Sequence, residues 1–517
     1  MSILGVDVGT TGCKAVLFDA EGGVIASAYR EYAVQRPRDG WSELDAHEVW
    51  HKVKEVIAAA ASKQGRDPIL ALAVASLGEA MVPVSKDRRI LGPSLLSDDV
   101  RGADYLELLR AAIPEEEWYT ITGNVLGNHY SLTKLMWIRD RQPDLYRATH
   151  KFLHWGSFVP YMLGGEARVD YSLVNRSLLF DVNREAWSER IFAHAALDPE
   201  KFAMPIPTGT VIGSVAPAMA HELHLPPETL LIAGAHDQCA NALGAGVLAD
   251  GQAMLGMGTF HIIVPTFHTR PGPGLFRARG LNLEHAAAPG QFVSFIYNPG
   301  GSIMQWFRNV CAREAHERAL VEGGEVYEQL LAEMPRDPSS VLCLPHFTGT
   351  GAPHFIADSR AVIIGLRLET HRGELLKGIL EGIAFSLQES LAGLPEIGIA
   401  IDELRAVGGG SRSTLWLQLY ADIFNRPIRR LQQPEAGALG VAIVAGHAAG
   451  VYASLEEGVH TVVRPSGELL PDPGRAQHYA ERLHAYKALW PLVGDFIHTH
   501  APSWTYRPAP APGGSGG

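Results

Sequence analysis

The sequence predicts an α/β protein of two domains that face each other across a cleft. Three observations carry that reading. The chain has 517 residues, more than one hydrophobic core usually serves. Residues 3–18 run strand, Gly-Thr turn, strand, and residues 254–265 repeat the pattern. Residues 401–431 then read strand, glycine-rich turn, helix, strand. Two such glycine turns about half a chain apart point to a duplicated unit, one copy in each domain.

In chain order, the first two strands are joined by Gly9-Thr10-Thr11-Gly12, and AEGG at 20–23 turns into a third strand, VIASAYREY. This is a β-meander. Residues 45–65 read as a helix with Asp45 as cap, Glu48 at the capping-box position and Gly65 as stop. ILALAVASLG, at 69–78, is a buried strand. Residues 81–102 form a hairpin that runs into an acidic loop, and residues 133–146 are helical. Residues 230–265 resume the strand–glycine–helix–strand pattern, with the helix over 239–248. The Pro/Gly-rich end, 501–517, is expected to be disordered, and its GGSGG ending looks like a linker scar. The predicted domains are therefore 1–249 and 250–500.

Composition narrows the function. The chain is 46% hydrophobic and 19% charged, with net charge -12. That balance argues against a broad nucleic-acid surface, which needs clustered Lys and Arg. The four cysteines, Cys13, Cys239, Cys311 and Cys343, form no CxxC pair. Zinc and disulfide frameworks are both poorly supported, and a reducing compartment fits. The N-terminus lacks a signal-peptide pattern, and no uncharged apolar run is long enough to span a membrane. A cytoplasmic protein with no membrane partner is the expectation.

A Gly-Thr hairpin turn exposes successive backbone N–H groups beside a hydroxyl, a combination that cradles phosphate oxygens. The full string GVDVGTTGCKAVLFD resembles the phosphate-binding opening of the sugar kinase/Hsp70/actin superfamily. VGGGSRSTLWLQLYADIFNRPI, at 407–428, looks like the adenosine-binding segment of the FGGY carbohydrate kinases. The stretch PHFTGTGAPHFIADSRAVIIGLRLETHRGELLKGILEGIAFSLQESL looks like that family's C-terminal domain. The resemblance runs over residues 3–450. It implies two ribonuclease H-like domains, the first binding a small sugar or polyol and the second binding ATP, with Mg²⁺ as the metal. Homodimers are common among such relatives.

The resemblance also implies roles. Asp7 would hold the Mg²⁺ of the nucleotide, which answers why a buried strand carries an acid. Thr10, Thr11 and Lys14 would meet the transferring phosphate, with Lys14 neutralising charge there. Gly258 and Thr259 would contact phosphates from the second domain. Gly408, Gly409 and Gly410 would let backbone lie against adenine and ribose, with Ser413 as a polar adenine contact. Asp237, in GAHDQCANALGAG, would be the catalytic base. Taken alone, Asp237 would read as a helix cap. His236 and Gln238 flank it beside the substrate.

Substrate contacts are expected from the first domain. Xylulose kinases have a Gln-Met-His run where this chain has Leu77-Gly78-Glu79. Glu79 falls where glycerol kinases place a glutamate on the polyol. Asp99 and Arg101 fit an Asp-x-Arg found in many sugar kinases, with Ser97 in place of the usual Trp. His129 and Trp155 are further pocket candidates, with packing as the competing reading. Residues 170–191 look more like the xylulose kinase side. A ketose, a pentulose first, or a polyol phosphorylated on a primary hydroxyl follows. The rival readings are an Hsp70/actin-like ATPase and a sugar-sensing relative without catalysis.

Overall fold

The computed structural model describes residues 1–500 apart from Arg66, Phe355, Ala357, Asp358, Gln433 and Pro434. The expected tail, 501–517, lies outside the described residues. Strands β1 (Ser2–Val8), β2 (Gly12–Asp19) and β3 (Val24–Glu31) form the antiparallel meander. β4 (Ile69–Ser76) pairs with β1 in parallel. Its run ILALAVAS is apolar up to the last residue, Ser76, because a central parallel strand is covered on both faces. Edge strand β5 (Val211–Ser214) and β6 (Leu230–His236) complete the order β5-β6-β4-β1-β2-β3, with β6 parallel to β4.

The second sheet repeats that plan. β7 (Gly251–Met257), β8 (Phe260–Phe267) and β9 (Ile296–Pro299) form an antiparallel meander. β10 (Ile401–Val407) and β11 (Ile428–Leu431) continue it in parallel, and β12 (Pro465–Leu469) closes it antiparallel. The repeat of a glycine turn in the sequence is thus a repeat of the sheet's connectivity.

Helix α1 (Ala46–Ala61) is capped by Asp45, whose carboxylate accepts from His47 N at 2.9 Å and Glu48 N at 3.2 Å. It ends at Ala61, short of Gly65, because residues 62–64 already turn back with hydrogen bonds to Ala58, Ala60 and Ala61. Helix α2 (Ser131–Arg141) stops before Pro143, which cannot continue it and instead starts a separate turn, Pro143–Ala148. The hairpin expected at 81–102 reduces to one bridge, Val84 with Ile90. Met81–Val84 finds its ladder partner in Lys151–His154. Helix α3 (Asp237–Gly244) begins two residues before the expected start, so Asp237 occupies its first turn and does not precede it.

The remaining helices that shape the site are α4 (Gly301–Cys311), α5 (Arg372–Gly393), α6 (Thr414–Phe424) and α7 (Ala436–Ala448). Helix α7 is buried from Ala436 through Gly446, so no polar face appears in its sequence. It packs on α3 and on β1 in a cluster that includes Ile3, Phe18, Ala240, Leu439 and Val441. The approach is at backbone distance. A Cβ on Gly440 would lie 1.9 Å from Ala240 O, one on Gly244 1.9 Å from Ala436 O, and one on Gly5 2.0 Å from Ala438 O. Among the described residues no helix is long and apolar enough to cross a membrane.

Replacing Gly440 by Val must push two helices apart, and we expect a loss above about 3 kcal/mol, the upper range for overpacking. Gly467→Ala, whose Cβ would meet nothing within 4 Å, is expected to stay within about 0.5 kcal/mol. Thermal melts of the two variants test the contrast.

Candidate active site

The first glycine turn lies at the end of β1 and β2 and leaves Thr10 and Thr11 exposed. Gly9 N donates to Gly12 O at 2.9 Å. The Tyr32 hydroxyl donates to Gly9 O at 2.7 Å and reaches Gly12 O at 3.0 Å, holding the turn from below. Asp7 and Lys14 are cross-strand partners beneath it. Lys14 Nζ donates to Glu435 Oε2 at 2.6 Å, and Glu435 immediately precedes α7. Gly437, in the first turn of α7, sits against Asp7 and Asn241: a Cβ there would be 3.0 Å from Asp7 Oδ2 and 3.2 Å from Asn241 Oδ1. Burial and the Glu435 charge push Asp7 up to about 6, while Lys14 opposes them.

The second turn, Gly258-Thr259, is exposed and rests on the start of α4. Gly301 N donates to Gly258 O at 3.1 Å, and Ser302 N to Thr259 O at 3.1 Å. The run Gly408–Gly410 folds against Met257, the residue before that turn. Gly408 has φ +88° and a Cβ there would lie 3.0 Å from Met257 O, so only glycine suits the position. A Cβ on Gly410 would lie 3.0 Å from Met257 Cβ, whereas Gly409 faces open space. The two motifs that sequence spacing separates by about 150 residues thus form one continuous backbone surface.

Asp237 stands at the start of α3, with its Oδ1 3.1 Å from His236 Nε2. That contact lacks hydrogen-bond geometry, and both Asp237 Oδ1 and His236 Nδ1 are buried without a hydrogen-bond partner. Burial, then the charges of Asp7 and Glu79, push Asp237 up to about 7, against the backbone N–H of Gln238. Burial and Arg176 hold His236 down at about 3, so its ring is neutral.

A buried charge network is coupled to Asp237 through Glu79. Arg176 Nε donates to Glu79 Oε1 at 2.9 Å, and Arg176 Nη1 to Glu284 Oε1 at 2.5 Å. Burial alone would raise Glu79, but Arg176 overrides it and brings Glu79 down to about 2. Glu284 is raised by burial, with Arg176 opposing. Glu79 and Arg176 belong to the first half of the chain and Glu284 to the second. Around them is a cavity of about 50 Å³, walled by His129, Tyr130 and Arg176 on one side and by Leu281, Asn282 and Phe295 on the other. His236 packs edge-on against Phe295 with ring centroids 5.3 Å apart. Burial and Arg176 hold His129 down at about 4. The arrangement sets an acceptor-only carboxylate and a base candidate on one side, and a phosphate-type turn with a lysine on the other.

Residues 2–244 match the N-terminal domain of the FGGY family of carbohydrate kinases, and residues 255–449 match its C-terminal domain. The chain belongs to the FGGY family of carbohydrate kinases. It is 25% identical to xylulose kinase from Bacillus subtilis (strain 168), over 95% of this chain and 97% of that one. It is 28% identical to glycerol kinase from Lactococcus lactis subsp. lactis (strain IL1403), over 88% and 91% respectively. The solved xylulose kinase from Rhodospirillum rubrum superposes with a TM-score of 0.86 at 27% identity, covering 96% of this chain and 100% of that one. As a carbohydrate kinase the enzyme transfers phosphate from ATP to a sugar hydroxyl.

Several residues named from the sequence are buried in the scaffold. Trp155 is fully buried, packs edge-on against Phe158 and donates to Ser94 Oγ at 3.2 Å, so it is a core residue and not a pocket wall. Asp99 and Arg101 are spent on each other and on the scaffold. Asp99 accepts from Ser42 N at 2.7 Å and from Arg101 N at 2.8 Å, and Arg101 Nη2 donates to Glu43 at 2.6 Å. The Arg101 guanidinium also lies 4.0 Å from the Trp41 ring centroid. Ser413 is buried, and its hydroxyl has no partner. Cys13 and Cys239 are buried, and burial pushes the Cys13 thiol up to about 12, which argues against thiolate reactivity at neutral pH.

Sequence reasoning missed Tyr32, Arg176, Asn241, Glu284 and Glu435. Arg176 lies inside a stretch read as family-like, DYSLVNRSLLFD, and an arginine in an otherwise apolar run is the signal that it needs a buried carboxylate. Arg176→Met would leave two carboxylates buried without their cation, which costs about 3–5 kcal/mol. The folded pKa of Glu79 lies below its ordinary 4.5, so the pair's contribution is present above that pH and fades as pH falls toward 2. The deficit of Arg176→Met is therefore expected to be largest at neutral pH and to shrink in acid. Chemical denaturation at pH 7 and pH 4 checks this, and an equal deficit at both would refute it.

Proposed function

We propose that this kinase transfers the γ-phosphate of ATP to a primary hydroxyl of a pentulose, with Asp237 as the base. The observation that carries the reading is Asp237 itself. Its Oδ1 is buried without a hydrogen bond, 3.1 Å from the His236 ring, in the field of both Asp7 and Glu79. A hydroxyl placed between them can give its proton to Asp237 as its oxygen bonds the γ-phosphorus and the bond to ADP breaks. With burial setting it at about 7, Asp237 is a base matched to neutral solution.

The Gly9–Gly12 turn and the Gly258-Thr259 turn would hold the phosphates, and Gly408–Gly410 with Ser413 would carry adenosine. Glu79, fixed as a carboxylate by Arg176, can only accept, so it selects hydroxyl donors on the sugar. His129, His236 and Gln238 would complete that wall. Asp7 fits a Mg²⁺ role: it is a buried carboxylate disfavoured by burial and by Glu435, and a divalent cation would reverse that penalty. Among the described residues no group of three or more His, Cys, Asp or Glu forms a metal cage, in keeping with an ion held by one or two carboxylates and phosphate. Bound there, Mg²⁺ would supply charge neutralisation for the phosphates.

A pentulose is favoured by the relatives' names and by coverage of nearly the whole chain. A polyol is the second reading, favoured by Glu79 in place of the xylulose kinase pattern and by the glycerol kinase similarity. We place the reaction in the cytoplasm, where ATP is at hand and the four free cysteines stay reduced.

ADP release with ATP and Mg²⁺ across ketoses, aldoses and polyols is expected to give one strong hit among the pentuloses. Asp237→Asn should lower that rate by about 10³-fold or more, the scale of losing a general base. Below pH about 7, Asp237 holds a proton and cannot accept another, so kcat/KM should fall with acid in the wild type. Turnover by Asp237→Asn at the wild-type rate, or a flat profile from pH 5 to 8, would remove Asp237 from that role.

A further inference from the structure

Glu435 is the residue that no sequence motif singled out, yet it holds the lysine of the phosphate turn. Its geometry is unusual for its place. It stands immediately before α7, at the N-cap, where Ser, Thr, Asp or Asn would bond the first free N–H groups. Its side chain makes no such bond. It reaches instead to Lys14 Nζ at 2.6 Å, across 421 residues of chain. The pair is 26% and 31% exposed, so an anion arriving at the turn meets both members. Asp7 is the cross-strand neighbour of Lys14, and both carboxylates flank that one ammonium.

We propose that Glu435 makes this site prefer metal-complexed nucleotide over metal-free nucleotide. The inference rests on the nucleotide-site reading above. A bare polyphosphate reaches Lys14 only by displacing Glu435, and it then faces two carboxylates with one ammonium between three anions. A divalent cation carried in with the nucleotide converts both carboxylates from repulsive to attractive neighbours. Lys14 is released to the phosphate in the same exchange. Glu435 is thus a positioning residue for Lys14 and a charge filter for the ligand.

Isothermal titration with ADP in EDTA, and with ADP plus MgCl₂, tests the proposal on the full chain. Wild type should bind ADP much more weakly in EDTA. Glu435→Gln should tighten the metal-free Kd by about tenfold, the scale of one partly screened like-charge contact, and so narrow the magnesium advantage. Glu435→Asp keeps the charge while shortening its reach, and should leave metal-free binding weak. Lys14→Met should weaken metal-free binding further. Thermal melts confirm that each variant is folded. Metal-free binding by Glu435→Gln no tighter than wild type, or as tight in Glu435→Asp as in Glu435→Gln, overturns the proposal alone. No ADP binding by wild type in either condition overturns the nucleotide-site reading as well.

Discussion

The close crossing of α3, α7 and β1 is the constraint on which the site depends. Gly5, Gly244 and Gly440 let backbone meet backbone there, and any side chain at these positions would enter a carbonyl. The gain is more than dispersion energy. Because α7 lies that close to β1, its first turn reaches Asp7. Because α3 lies that close to α7, Asn241 reaches the same place, and Asp237 is carried at the other end of a rigid rod of one short helix. Catalytic groups need placement within fractions of an ångström. A backbone-to-backbone contact supplies that better than side chains with rotamers to choose from. The crossing also joins the two halves, since β1 and α3 come from the first and α7 from the second.

Charge is arranged around the crossing by the same economy of space. Arg176 lies between Glu79 and Glu284, and it drives the first to about 2 while the second stays raised. One cation thus fixes one carboxylate firmly and another weakly. Glu79 is thereby held as a carboxylate beside Arg176, which lines the cavity. Glu284 ties the segment 281–295, which belongs to the second half, onto the first. The same segment is held by Tyr119, whose hydroxyl donates to Leu281 O at 2.6 Å, and by Leu283 N donating to Gly123 O at 2.8 Å. The cavity is therefore built by both halves, and neither half would present it alone.

Much of this was legible in the sequence, and the reason is local. The Gly9–Gly12 turn, the Gly258-Thr259 turn and the Gly408–Gly410 run each declare themselves by residues a few positions apart, because a tight turn is made by its own residues. The doubled sheet followed from the repeat of those turns. What stayed hidden depends on distant partners. Glu435 belongs with Lys14, and Glu284 belongs with Arg176 from the other half of the chain. No period or spacing links such pairs. Asp99 and Arg101 show the opposite case. Their local pattern is strong, but Glu43, Ser42 and Trp41, from an earlier stretch of the chain, take up hydrogen bonds and a face of the pair.

That contrast separates framework from working groups. Asp99 and Arg101 are buried and hydrogen-bonded to each other, to Ser42 and to Glu43, as buried polar groups in a scaffold are. Asp237 Oδ1 and His236 Nδ1 are buried and unanswered, and Asp237 is raised to about 7 by burial and by the other acids. A carboxylate oxygen buried without a hydrogen bond costs stability. Asp7 is likewise raised by burial, with Glu435 adding to its penalty. Asp7, Asp237 and Glu79 are coupled by charge, since both Asp7 and Glu79 raise Asp237. The mutual repulsion of buried acids thus gathers around Asp237, where the proposed chemistry needs a proton acceptor.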